Sequence, residues 1–116
     1  MVVIEKLRIE VLVVEKDIEP YVVRIWNNLD ELRKIIGNES IEVKEYEKAL
    51  LVYDEEALKK MLPINRYIDG KAIRGVFILA GNNEKELDWR ELTPEQIEKY
   101  KNQFSLQREE DMELEE

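Results

Sequence analysis

Asn65, Arg66 and Tyr67 stand together in Pro63-Ile64-Asn65-Arg66-Tyr67-Ile68-Asp69-Gly70, with Lys71 and Arg74 just beyond. These side-chain types suit recognition of a small charged molecule. Arg66, Lys71 and Arg74 could close on a phosphate or carboxylate, Asn65 could read an amide or a base edge, and Tyr67 could stack on a ring. The same residues also build turns. Asn65 and Asp69 would then satisfy local backbone groups, Gly70 would take a positive φ, and Arg66 would bridge a surface carboxylate. Turns of that kind are common, which favours the second reading. The segment stands out by position: it directly precedes Val76-Phe77-Ile78-Leu79-Ala80, apolar on both faces and flanked by Gly75 and Gly81.

A second group is aromatic: Tyr21, Trp26, Tyr46, Tyr53 and Trp89. Aromatic side chains anchor protein interfaces, but they also close the edges of cores with their polar tips in water. Trp26 is the informative one, because it falls on the strand face opposite Tyr21, Val23 and Ile25. If that face is solvated, Trp26 marks an interface; if a helix covers it, Trp26 is core.

Other chemistries are excluded by what is missing. The chain has no histidine and no cysteine. Zinc sites built on those residues and Ser–His or Cys–His nucleophile pairs are therefore impossible. Neither GxGxxG nor GxxxxGK[ST] occurs, so no phosphate loop is expected, and Gly75 and Gly81 read as close backbone packing or a bulge. Carboxylates are plentiful, yet Glu42 and Glu45 fall on opposite strand faces and Glu55 and Glu56 in a solvated turn. No pair has a reason to be buried, so we expect no catalytic residues, no metal and no cofactor.

At 116 residues and 44% apolar, the chain has the size and composition of one domain. No apolar run is long enough to span a membrane, and Met1–Lys6 lacks the pattern of a secretory signal. With no cysteine, the expectation is a cytoplasmic protein. Six acids and one base in residues 108–116 give that stretch a net −5, leaving −4 of the total −9 for residues 1–107. No basic stripe for nucleic acid is visible. Residues 107–116 read as an acidic, disordered tail, with a docking role as the sharper alternative. The Glu- and Lys-rich composition, 39% charged, is a mix found in thermophile proteins.

The positioning elements follow from periodicity. Leu7, Ile9, Val11 and Val13 alternate with Arg8, Glu10 and Leu12, and Tyr21 to Trp26 forms a second strand, giving a hairpin. Asn28 caps a short helix with Glu31 at the capping-box position; Leu29, Leu32, Ile35 and Ile36 share its apolar face, and Gly37 ends it. Strands follow at 41–46 and 49–53. Asp54 to Leu62 reads as a helix stopped by Pro63, or as a single turn or structured loop. Residues 76–80 form an interior strand. Asn82 to Arg90 reads as a polar loop with Trp89 folded back onto the body. Thr93, Pro94 and Gln96 open the clearest helix, with Leu92 and Ile97 as its staple. The expected fold is a single α+β domain over residues 1–106, in the order β-β-α-β-β-(α)-β-α. Its mixed sheet of about five strands carries helices mainly on one face, in an order shared with β-grasp proteins.

Several of these segments together resemble a known family. They are Glu55-Glu56 with the following lysines, Pro63-x-Asn65-Arg66, Ile73-x-Gly75-x-Phe77-x-Leu79-x-Gly81 and Leu92-Thr93-x-x-Gln96-Ile97-x-Lys99-Tyr100-x-x-x-Phe104. With the helix, turn and Ile-Glu-Val strand of Leu29 to Tyr46, they resemble the domain of unknown function 3846 over most of residues 9–104. Related sequences carry a Gly-Gly pair where this chain has Gly37-Asn38-Glu39-Ser40. The resemblance implies a small protein of phages, plasmids or integrative elements, often encoded near antirestriction genes, and brings no catalytic residues.

The functional expectation is a small non-enzymatic accessory protein that binds a protein partner in host defence or DNA metabolism, with a homodimer through an exposed edge strand left open. The candidate contacts are Asn65, Arg66, Tyr67, Arg74 and Trp26. Two alternatives stand beside it: a nucleotide or small-ligand binder centred on Asn65, Arg66 and Tyr67, and an acidic DNA mimic.

Overall fold

The computed structural model describes residues 8–83 and 88–106. The elements run β1 (Arg8–Val14), β2 (Tyr21–Trp26), α1 (Leu29–Ile36), β3 (Ile41–Tyr46), β4 (Ala49–Asp54), β5 (Ile64–Ile68), β6 (Lys71–Arg74), β7 (Phe77–Asn83), β8 (Asp88–Arg90) and α2 (Pro94–Gln103). The main sheet has the order β2-β1-β7-β4-β3, and β8 pairs with the far end of β7. β5 and β6 form a separate hairpin.

The α+β class is confirmed, and β7 is the interior strand that its two-sided apolar pattern required. Phe77, Ile78, Leu79 and Ala80 are all fully buried. Phe77 and Leu79 point into one core, with Leu12, Val14, Leu51, Tyr100 and Phe104. Ile78 and Ala80 point into the other, with Val11, Val13, Val52, Leu32 and Ile36. Full burial of Phe77, Ile78 and Leu79 contributes roughly 1.5–3 kcal/mol each.

Two particulars differ from the sequence reading. The sheet is antiparallel at every pairing, not mixed. β1–β2 and β3–β4 are hairpins, and β7 enters between β1 and β4 antiparallel to both. The helices also lie on opposite faces: α1 packs in the core that holds Ile78, and α2 in the core that holds Phe77. β1 explains this, since Val11, Leu12, Val13 and Val14 are buried in succession. A sheet centre apolar on both sides needs cover on both sides.

The local start and stop signals hold. The Asn28 side chain accepts from the Glu31 N–H at 3.0 Å, and Gly37 at φ 85 donates its N–H to the Arg33 carbonyl at 2.7 Å. Thr93 and Gln96 form the reciprocal capping box at 3.1 and 3.0 Å. The segment after β4 is a series of turns, not a helix. Asp54 organises it by accepting from the Glu56 N–H at 2.8 Å and from Lys60 Nζ at 2.7 Å. Residues 64–68, read as part of a turn, are strand β5. The turn is confined to Asp69-Gly70, at φ 52 and 83, the pattern of a tight two-residue hairpin loop. Part of the expected loop before α2 is strand β8. The expected placement of the Trp89 side chain, Leu7 and the tail at 107–116 lie outside the described residues.

Candidate functional site

Asn65 begins the chemistry, and its polar atoms are committed internally. Its Nδ2 donates to the Val14 carbonyl and to the Gly75 carbonyl, both at 2.9 Å. Its Oδ1 accepts from Arg66 Nη1 at 2.6 Å. Arg66 then spreads its planar donor set over three segments. Nε donates to the Phe104 carbonyl at 2.9 Å, Nη2 to the Ile18 carbonyl at 3.0 Å, and Nη1 to the Asn65 carbonyl at 3.2 Å and the Glu15 carbonyl at 3.4 Å. Burial lowers the guanidinium pKa from its ordinary value, against the opposing pull of Glu19 and Asp17. The pair is a clamp that joins the end of α2 to the β1–β2 turn. Arg66 was read as a bridge to a surface carboxylate if it built structure; it binds main-chain carbonyls instead.

Tyr67 and Arg74 do not complete a pocket around this clamp. Tyr67 follows Arg66 directly in β5, so it points to the opposite face, where it is 63% exposed. Arg74 Nη1 donates to the Leu62 carbonyl at 2.9 Å, bracing the segment before β5. Gly75 has φ 77, and a Cβ there would meet Leu62 Cδ1 at 2.8 Å, so the β6–β7 corner lets the Leu62 side chain lie against its backbone.

Trp26 lies elsewhere. It pairs with Arg8 at one end of the β1–β2 hairpin, while Arg66 grips Ile18 and Glu15 in the turn at the other end. The indole is 44% exposed, and the Arg8 guanidinium sits 4.6 Å from its ring centroid. Among the described residues no helix covers that face of β2. α2 instead leans toward the β3–β4 turn, where Lys99 Nζ and the Tyr100 hydroxyl donate to Glu47 at 2.7 and 2.9 Å. Those bonds lower the Glu47 pKa, and burial together with Glu47 raises that of Tyr100. On its other side α2 borders a groove of about 750 Å³, lined by Glu10, Leu92, Pro94, Ile97, Glu98 and Lys101.

β2 is therefore an edge strand with an open face. Its sequence, Tyr-Val-Val-Arg-Ile-Trp, holds one charge, and Tyr21, Val22 and Trp26 are exposed. Tyr21 keeps its proton: burial and its hydrogen bond to Glu15 push it up to about 12. The opposite edge, β3, holds Glu42, Lys44 and Glu45 in the same length. Charged side chains guard an edge against further pairing, and β2 lacks that protection.

The span of this domain coincides with a family match. The family model for a domain of unknown function, DUF3846, matches residues 9–105. The chain belongs to that family. No curated protein and no solved structure matches it. Within this DUF3846 domain, the residues that carried the resemblance perform architectural tasks: Asn65 and Arg66 clamp, Gly75 lets Leu62 approach, and Thr93 and Gln96 cap α2. Sequence reasoning missed one buried polar centre, Asp54, which is 3% exposed and also accepts from Asn38 Nδ2 at 2.7 Å. Burial raises its pKa, and the bonds from Lys60, Glu56 and Asn38 outweigh this, so the carboxyl is held below its ordinary range. Its only prior signal was position, between a buried strand and a lysine-bearing turn. Among the described residues no cluster of metal-ligating side chains occurs, and no helix is long and apolar enough to cross a membrane.

Proposed function

We propose that this DUF3846 protein is a non-enzymatic accessory module that binds a protein partner by accepting an extended segment along β2. The observation that carries this reading is Trp26, 44% exposed on the uncovered face of an edge strand with one charge in six residues. Strand addition satisfies the free main-chain groups of such an edge, and side chains on alternate faces supply selectivity. Trp, Tyr and Arg, the types that dominate interface energetics, are all present on β2. The resemblance to phage and mobile-element proteins supports a setting inside a bacterial or archaeal cell, with a defence or DNA-metabolism component as partner.

The ligand-binding alternative draws less support, because Asn65 and Arg66 spend their donors on main-chain carbonyls. The test is affinity capture from host lysate with identification of the bound protein. Trp26→Ala and Arg24→Glu should lose it at unchanged thermal midpoint, and Lys44→Glu on β3 should keep it. Retention of the partner by both β2 variants overturns the reading.

A further inference from the structure

α2 covers only part of its face of the sheet. It is drawn toward the β3–β4 turn. There Gln96 Nε2 donates to the Lys48 carbonyl at 3.1 Å and Gln103 Nε2 to the Tyr46 hydroxyl at 2.6 Å, beside the bonds of Lys99 and Tyr100 to Glu47. The strands β2-β1-β7-β4-β3 span about 19 Å from first to last, and a helix with its side chains is about 10–12 Å across. Among the described residues the lane over β2 and the Arg8–Glu10 end of β1 is left open, with Val22 and Trp26 exposed along it.

The groove of about 750 Å³ beside α2 is the inner border of that lane. Pro94, Ile97, Glu98, Lys101 and Asn102 line it at positions i, i+3, i+4, i+7 and i+8, a single helical stripe. The groove therefore follows α2 from its first turn to its last, about 15 Å. Glu10 lines it from the sheet. Leu92, whose N–H donates to the Glu10 carbonyl at 3.2 Å, joins the two sides where α2 begins. The charges are ordered as well. Glu10, Glu91 and Glu98 precede Lys101, which stands in the last turn. Among the described residues none of the four is in an ion pair, although Glu98 and Lys101 lie three apart on one helix and Glu10 faces Arg24 across the β1–β2 register.

We propose that this groove receives a basic amphipathic helix of a protein partner, antiparallel to α2. Its apolar stripe lies against Leu92, Pro94 and Ile97, at the axis separation of about 8–10 Å that packed helices keep. Lysines and arginines in its last turns meet Glu10, Glu91 and Glu98, and an acidic residue in its first turn meets Lys101. That is the order of charge a helix dipole favours. The net −9 of the chain adds to the attraction for a basic partner. A second copy fits less well. Its α1 carries Asp30 and Glu31 in the first turn and Arg33 and Lys34 in the last, but Leu32 and Ile36, the apolar residues it would offer, are buried in its own core. The contact uses the flank of α2 and not the outer edge of β2, so it stands whether or not β2 accepts a strand.

The test is an NMR amide-shift titration of the full chain with a synthetic peptide of about 15 residues, long enough to hold a helix in water. The peptide carries leucines at i, i+3, i+4 and i+7, Glu in its first turn, and Lys and Arg in its last two. Saturable one-to-one binding is expected, with shifts centred on Glu10 and on Glu91 to Asn102. A peptide of the same composition with the charge order reversed should bind about tenfold more weakly, and so should the double variant Glu91→Lys, Glu98→Lys with the original peptide. Both positions are exposed, so the variant should keep its thermal midpoint. Glu45→Lys with Glu55→Lys changes the net charge equally outside the groove and should bind within about twofold of wild type. Equal weakening by the two double variants reduces the effect to bulk charge and overturns the proposal. Equal affinities of the two peptides, shifts centred outside the groove, or no saturable binding overturn it as well. Groove shifts that appear on raising protein concentration without peptide assign the site to a second copy and overturn it too.

Discussion

Arg66 offers the sharpest test of whether the Asn65–Arg66 pair holds the domain together or holds a ligand. Truncation to alanine removes three long-range bonds, to Phe104, Ile18 and, more weakly, Glu15 at 2.9, 3.0 and 3.4 Å, and releases Asn65 Oδ1. A hydrogen bond to a charged group contributes about 1.5–3 kcal/mol, and water entering the half-open site recovers part of it for the stranded carbonyls. The expected net loss for Arg66→Ala is about 3 kcal/mol. Arg66→Lys keeps the charge but not the planar fork, and should lose about 2 kcal/mol. At about 4 °C per kcal/mol for a domain of this size, the midpoint should fall by about 12 °C and 8 °C. Calorimetry and urea unfolding, with an unchanged urea slope, would measure this. A shift under about 3 °C for Arg66→Ala, a quarter of the expected fall, would refute the clamp and return Arg66 to the pool of candidate ligand contacts.

Asp54→Asn should destabilise by about 2 kcal/mol at neutral pH, because the charge is lost and the amide NH2, taking the place of one acceptor oxygen, would oppose either Lys60 Nζ or Asn38 Nδ2. The Asp54 carboxyl is held low in the folded state, so its contribution is complete above the ordinary aspartate value near 4 and fades as pH falls through the lower folded value. The difference between wild type and Asp54→Asn in urea midpoint should therefore shrink in acid. Gly75→Ala should lose about 1–3 kcal/mol by thermal melting, since φ is 77, a backbone conformation that strains any side chain, and the end of Leu62 must shift to admit the methyl. Thr93→Ala removes the side-chain half of the capping box and should lose about 1 kcal/mol, visible as faster amide exchange in the first turn of α2.

Features set by neighbours in sequence were legible from the chain. Asn28 with Glu31 and Thr93 with Gln96 announced helix starts because a cap and the N–H that donates to it lie three residues apart. The burial of residues 77–80 was legible because both faces are bulky. The β5–β6 hairpin was missed although Asp69-Gly70 is a strong turn signal, since Asn65 and Arg66 broke the apolar alternation expected of a strand. β8 was missed because three residues carry no period. The helices fell on opposite faces for a reason that exists only once β7 lies between β1 and β4. The partners of Arg66 are main-chain carbonyls 38 to 51 positions away, which leave no trace in a side-chain pattern. The openness of β2 was legible only as a condition on Trp26, because exposure depends on what α2 fails to cover.

The unequal margins of the sheet have a consequence for crowded conditions. A β-protein with two adhesive borders can propagate end to end into filaments. Of the two strands that end the described order β2-β1-β7-β4-β3, β3 repels newcomers with Glu42, Lys44 and Glu45, which leaves β2 as the one that can be joined. Any joining of copies through β2 should therefore stop at closed pairs, and any fibre that grows would have to be nucleated by unfolded chains.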